Sequence, residues 1–182
     1  MKGLSLVSLL DQSWAILKTL QSAKRYERTI TLATVDLRSQ PQACLVVLRS
    51  INRANGEFEF HTDADSLKFA SLKKEPKAQI LIWRPELSVQ LRISVEIDLQ
   101  CDDESRKLWA QVPRPSQISY GKSPPTGRPI SAPFEYENMA SIDKFVVARC
   151  TIQKIDFLSL SQAHHRAQFL RTDNWAGQWI SP

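Results

Sequence analysis

The chain reads as a mainly β protein: an antiparallel barrel, closed or nearly closed, with peripheral helices. Three observations predict this. In residues 89–99, Val89, Leu91, Ile93, Val95, Ile97 and Leu99 alternate with Gln90, Arg92, Ser94, Glu96 and Asp98, the period of a strand with one face in a core. Other strand-like runs are separated by turn signals and short helices, and six or more antiparallel strands can curl into a barrel. The sequence holds no Gly-x-Gly-x-x-Gly, no Walker loop and no alternating strand–helix rhythm, so a parallel nucleotide-binding sheet is excluded.

The elements follow in order. Leu6, Leu9, Leu10, Ser13, Trp14 and Leu17 recur at helical spacing, predicting an amphipathic helix from about Ser5 to Ser22. Met1-Lys2 and the apolar run behind it imitate a signal peptide. Asp11 and Gln12 end that run early and no small-residue cleavage site follows, so a cytoplasmic protein is expected. The period then switches to two: Thr29–Val35 is a strand, Asp36–Pro41 a turn, and Ala43–Leu48 a strand read as buried on both faces. Asn55-Gly56 marks a hairpin into Glu57–Thr62. A helix at Ser66–Glu75, a strand at Ala78–Trp83 and a turn near Pro85 precede the alternating strand. Asp102 or Asp103 caps a helix through Trp109 that stops before Pro113. Residues 114–138 are rich in Pro and Ser and read as a long loop. A strand from Lys144 to about Leu160, and a pair at His165–Leu170 and Gln178–Ile180, complete the sheet.

At 182 residues this is a single domain, 1–182, large enough to bury a core without metal or disulfide. The net charge of +5 is scattered, with Lys73-Lys74 the only notable cluster, which favours a small anionic ligand over a nucleic-acid groove. Three distant cysteines, Cys44, Cys101 and Cys150, form no Cys-x-x-Cys pair, so zinc-ribbon and dithiol readings lack support. His164 and His165 point to opposite faces of a strand and cannot chelate one metal together, so no metal site is expected. No run approaches membrane-spanning length. Trp83, Trp109 and Trp179 are expected in the core or at a subunit interface.

The most informative stretch is Glu57–Lys68, where a strand breaks into a hydroxyl-rich turn at a helix start. Unpaired helical N–H groups, with Thr62, Ser66 and Lys68 as side-chain donors, make an anion site. The alternative is plainer: Asp63 or Asp65 caps the helix and Lys68 is solvated.

A resemblance extends this reading. Thr31–Asp36, Leu45–Arg49, Phe60–Asp63 with Ser66 and Lys68, Pro76, Ala78, Val89–Arg92, Trp109, Ile155–Leu158, His165–Ala167 and Trp179–Pro182 resemble the pyridoxamine 5′-phosphate oxidase-like family, in one register over about residues 13–182. That resemblance implies an FMN-binding split barrel of antiparallel Greek-key type, forming a homodimer with FMN (flavin mononucleotide) at the subunit interface. It implies that the Val46-Val47 backbone flanks the flavin ring, with Arg49 near flavin and substrate. His61 and Thr62 would meet the ribityl or phosphate region, Ser66 and Lys68 the phosphate, and Gln90 the ring from a neighbouring strand. Tyr120 and Arg166 fall on the substrate side.

The chain departs from the family pattern at two phosphate-binding arginines, replaced here by Cys44 and Leu67, with Arg28, Arg49 or Arg92 available to compensate. Gln162 stands where the vitamin oxidases carry a substrate arginine, which argues against that activity. The implied function is an FMN-dependent oxidoreductase acting on a small molecule. The alternative is a degenerate binding or regulatory protein with weak or no FMN binding.

Overall fold

The computed structural model describes residues 4–24 and 27–182; Met1-Lys2, the basic start of the apolar run, lies outside them. Helix α1 (Leu6–Ser22) begins at Ser5. The Ser5 hydroxyl accepts the Ser8 amide at 3.2 Å and the Ser8 hydroxyl accepts the Ser5 amide at 3.0 Å, satisfying two donors that a helix start leaves orphaned. Of the predicted stripe, Leu9, Ser13, Trp14 and Leu17 are buried and Leu6 and Leu10 pack partly buried against the core; Ile16 and Leu20 are buried as well.

Eight strands form one sheet: β1 (Thr29–Val35), β2 (Pro41–Asn52), β3 (Glu57–Asp63), β4 (Lys77–Arg84), β5 (Val89–Gln100), β8 (Phe145–Ser159), β9 (His165–Leu170) and β10 (Gln178–Ile180). Six of them close a barrel in the order β8-β3-β2-β1-β4-β5, with β5 returning to β8. The run β4-β1-β2-β3 is the Greek-key order, in which the fourth strand returns beside the first. Between β3 and β4 lies α2 (Leu67–Lys74), the connection that carries the chain across to that position.

Strand β8 makes closure possible. Its first half pairs with β3, almost its whole length with β5, and its second half with β9. A strand of 15 residues reaches about 50 Å, enough to serve all three neighbours. A bulge at Gln153, opposite Ser94 and Val95, bends it between the two tasks. Phe58, Phe60, Leu91, Ile93 and Phe157 belong to the core of the barrel strands, and Phe169 of β9 joins the same core. The alternation read in residues 89–99 holds, with Val89, Leu91, Ile93, Val95 and Ile97 all buried.

The expectation for residues 43–48 needs correction. Val46 and Leu48 are buried and Cys44 packs against the core, but Leu45 is 70% exposed and Val47 only half-buried. A continuous apolar run cannot separate a doubly buried strand from one whose outer face meets something else.

The helix expected through Trp109 forms as α3 (Asp103–Trp109), capped by Asp102. Residues 114–138 are more structured than the expected loop: they hold α4 (Arg114–Gln117) and a small hairpin, β6 (Lys122–Ser123) with β7 (Glu137–Asn138). Under them sits a separate small core of Val112, Tyr120, Phe145 and Val147, with Leu108 and Trp109 against it. Tyr120 and Phe145 meet edge to face at 5.1 Å, and Trp109 lies 5.4 Å from Phe145. Trp83 and Trp179 lie on the surface, each 48% exposed.

Candidate functional site

Where β3 ends, Thr62, Asp63 and Ser66 are buried and the chain turns into α2. The helix cap is Ser66, neither Asp63 nor Asp65: its hydroxyl accepts the Phe69 amide at 3.3 Å and donates to the Asp63 carbonyl at 2.7 Å. The Thr62 hydroxyl stands 3.2 Å from it. The first-turn N–H groups of Leu67 and Lys68 have no intrahelical acceptor, which leaves partial positive charge at this end of α2.

Asp63 has a different task. One carboxylate oxygen accepts the Asp65 amide at 2.7 Å and the other accepts the Gly121 amide at 2.6 Å. That second bond pins the 114–138 excursion over the end of β3. Gly121 has φ +99, and a Cβ there would stand 2.3 Å from the Met139 carbonyl oxygen, so only glycine fits.

Between these elements opens a cavity of about 250 Å³. Strand β2 contributes Leu45, Val46, Val47 and Arg49; β3 contributes His61, Thr62 and Asp63; the helix start contributes Ser66 and Lys68. The excursion contributes Ser119, Tyr120, Lys122 and Thr126. Eight residues expected at the site therefore share one cavity: Val46, Val47, Arg49, His61, Thr62, Ser66, Lys68 and Tyr120.

Arg49 reaches it because a bulge between Leu48 and Ser50 leaves this residue without a partner on β3. Arg49 Nε and His61 Nδ1 are buried polar atoms without a hydrogen-bond partner among the described residues. Burial, and next the Arg49 charge, lower the His61 imidazole to about 4 against the opposing pull of Glu59, so it is neutral at neutral pH. Its ring meets Phe145 edge-on at 4.7 Å. An orphaned donor and an orphaned ring nitrogen beside cations and hydroxyls fit a polar, anionic ligand.

Gln90 and Arg166 do not line the cavity. Both lie on the outer face of the sheet in one row, Trp83–Gln90–Leu158–Arg166, across β4, β5, β8 and β9. Arg166 donates to Asp156 twice, at 3.0 and 2.8 Å; Arg92 and Gln168 each donate to the same carboxylate at 2.8 Å. Burial pushes the Asp156 carboxyl up, but the hydrogen bonds from Arg166 and Gln168 and the charges of Arg92 and Arg166 outweigh it and hold the group below its usual range. Of the three arginines available for compensation, only Arg49 lines the cavity. Cys44 packs against the core, and Leu67 is exposed beneath Gly127.

Sequence reasoning missed Lys122, Ser119 and Thr126. A Pro- and Ser-rich stretch carries no periodicity to show which residues turn inward. The grouping of His, Cys, Asp and Glu that a metal requires is absent among the described residues. No described helix is long and apolar enough to cross a membrane.

Fold and cavity together define a class: a Greek-key split barrel with a cationic cleft where a strand turns into a helix. The profile described as "Pyridoxamine 5'-phosphate oxidase, FMN-binding domain" matches residues 11–100. The chain is 38% identical over 100 residues to the pyridoxine/pyridoxamine 5′-phosphate oxidase of Xanthomonas campestris pv. campestris strain 8004, covering 53% of this chain and 49% of that one. With the Deinococcus deserti enzyme of the same name it is 30% identical over 126 residues, 69% of this chain and 58% of that one. The chain spans about half the length of the first of these relatives.

Two solved structures share the fold. One is a pyridoxamine 5′-phosphate oxidase-related, FMN-binding protein of Nostoc punctiforme PCC 73102, with TM-score 0.73 and 21% identity over 100% of this chain and 99% of that one. The other is PhzG of Burkholderia lata 383, in complex with tetrahydrophenazine-1-carboxylic acid, with TM-score 0.74 and 20% identity over 100% and 94%. This chain belongs to the pyridoxamine 5′-phosphate oxidase-like family of FMN-binding split barrels.

Proposed function

We propose that this chain binds FMN in the cavity between β2, β3 and α2 and acts as an FMN-dependent oxidoreductase on a small molecule. The observation that carries the reading is the set of unsatisfied groups in that cavity: Arg49 Nε and His61 Nδ1, with the Lys68 ammonium and the first turn of α2 beside them. Lys68 and the helix start hold the phosphate, and Thr62 and His61 face the polar chain behind it. The Val46-Val47 backbone and Arg49 flank the ring. The bound isoalloxazine supplies the redox chemistry, passing electrons between the substrate and oxygen or a nicotinamide. The chain's own contribution is to position the flavin and exclude water around it.

The cavity of one chain, about 250 Å³, falls below the roughly 300–1,000 Å³ of sites that enclose a small molecule. Beside it the outer sheet face exposes Leu45, Leu81 and Trp83, three large apolar side chains that one chain leaves in water. A homodimer that packs these faces covers the flavin and brings Gln90 and Arg166 to the partner's cavity. Work in the cytoplasm suits three unpaired thiols.

The test is a titration with FMN, followed by quenching of flavin fluorescence. Saturable binding at micromolar affinity or tighter, one flavin per chain, supports the reading. No binding at physiological flavin levels removes it and favours a binding or regulatory protein, as the apolar Leu67 at the helix start and Cys44 against the core would then explain.

A further inference from the structure

The bulge in β2 separates two cavities. Arg49, the extra residue, lines the one described above, while Ser50, paired opposite Glu59, lines a second of about 410 Å³. On β3 the division repeats: Glu57 and Glu59 line the second cavity and His61 the first, all alternating with the buried Phe58 and Phe60. Asn52 of β2, Asn55 of the hairpin and Arg149 of β8 complete the polar wall. The volume lies within the roughly 300–1,000 Å³ of small-molecule sites.

The charges here differ from those next door. Both oxygens of Glu59 are engaged, one accepting the Ser50 hydroxyl at 2.6 Å and the other Arg149 Nε at 3.1 Å. Asp98, opposite Arg149 on β5, accepts instead from the Gln100 side chain at 3.0 Å. The two terminal nitrogens of Arg149 therefore have no hydrogen-bond partner among the described residues, on a side chain 41% exposed. Glu57 forms no ion pair among the described residues, and its carboxylate accepts only the Asn55 side-chain amide, at 3.4 Å. The cavity thus presents one uncompensated carboxylate and one guanidinium already oriented by Glu59. A guanidinium edge takes a carboxylate in two parallel hydrogen bonds, and a carboxylate takes an ammonium.

The hairpin wall is fixed before a ligand arrives. Arg171 Nη1 donates to the Asn55 carbonyl at 2.9 Å and the Ile152 amide to the Gly56 carbonyl at 2.9 Å. The Asn52 side-chain oxygen accepts the Asn55 amide at 3.1 Å. A wall tied to β8 and to the C-terminal segment loses little freedom on binding.

We infer that this cavity is a second ligand site, for a small zwitterion of the amino-acid type, with its carboxylate on Arg149 and its ammonium on Glu57. The site stands apart from the flavin cavity and does not depend on the flavin reading.

The experiment follows backbone amide shifts of the isotope-labelled full chain by NMR. The probes are L-glutamine, N-acetyl-L-glutamine, which lacks the ammonium, and L-glutamine α-amide, which lacks the carboxylate. L-glutamine is expected to give saturable shifts centred on residues 50–59 and 149–152, at millimolar affinity or tighter. A charge-assisted hydrogen bond corresponds to roughly a 10- to 100-fold change in affinity. Each blocked probe should bind weaker by about that factor, and so should L-glutamine to E57Q and to R149K. Both substitutions fall on half-buried side chains of paired strands, and R149K keeps a cation beside Glu59. Absence of saturable shifts with L-glutamine overturns the inference. Shifts centred on residues 45–49, 61–68 and 119–126 overturn it too, since the probe is then in the flavin cavity. Equal affinity for a blocked probe, or an unchanged affinity in either variant, shows that the paired charges do not select the ligand, and also overturns it.

Discussion

The side chain of Asp63 and the backbone amide of Gly121, 58 residues apart in sequence, meet at 2.6 Å. This bond joins the end of β3 to the excursion that forms the far wall of the cavity. A buried carboxylate that accepts two amides is a rigid element, since each amide left unsatisfied costs about 1–3 kcal/mol. Asp63→Ala is therefore expected to destabilise the chain by about 2–4 kcal/mol and to loosen the wall before the barrel. Hydrogen exchange resolves the two: faster exchange confined to residues around 119–141 agrees, whereas uniform acceleration across β3 and β8 contradicts this pinning role. Gly121→Ala attacks the same wall from the other side, through the Met139 carbonyl, and should show the same pattern.

His61 predicts a pH dependence of definite sign. Its folded-state value of about 4 lies below the ordinary 6.5, so protons bind the unfolded chain more readily between these limits. Its contribution is complete above pH 6.5 and is lost as the pH falls toward 4, on the order of 2–3 kcal/mol. His61→Gln should flatten the stability curve in that window. An imidazole titrating near 6.5 by NMR in the wild type would falsify the buried, neutral assignment.

Asp156 acts at lower pH. Its carboxyl is held below the usual range by Arg166, Gln168 and Arg92 despite burial, so its stabilisation is present above about pH 4 and fades as acid protonates the folded state. Asp156→Ala removes the hydrogen bonds from Arg92, Arg166 and Gln168 but leaves two partly exposed arginines that water can solvate, and should cost about 1.5–3 kcal/mol. Denaturant unfolding at pH 7 and pH 3 measures this. The gap between variant and wild type should shrink at pH 3, and a gap equal at both values would show that packing, not charge, is what is lost.

The exposed Leu45, Leu81 and Trp83 of the outer sheet face yield an assembly prediction. Replacing Leu45 and Trp83 by Glu places charge on a face proposed to pack against its copy. Sedimentation should show a wild-type dimer and a monomeric double variant, with flavin affinity falling in step. A monomeric wild type would remove Gln90 and Arg166 from the proposed flavin site altogether.

The barrel was readable before folding because alternation is local: each inward residue of β5 is announced by its neighbours two positions away. The turn at Glu57–Lys68 was readable for a similar reason, since hydroxyls and a lysine at a strand-to-helix junction state their chemistry within a dozen residues. Eight of the expected residues consequently fall in one cavity. Gln90 and Arg166 do not, because their relation to the others passes through a face of the sheet and not through the chain. The cap was misplaced by a few positions, as Asp63, Asp65 and Ser66 are all good caps and only the path of the excursion claims Asp63 for Gly121.

By itself the sequence determined the fold class and the family and drew attention to the strand-to-helix turn at Glu57–Lys68, all of which rest on short-range patterns or on a register held across the chain. Only the tertiary structure decided that β2 turns Leu45 outward, that Arg49 enters the cavity on a bulge, and that Lys122 joins it from 54 positions beyond Lys68. The physical reason is the same in each case. Which side of a strand is covered, and which loop closes over a site, depends on contacts between segments far apart in the chain, and no local pattern records them.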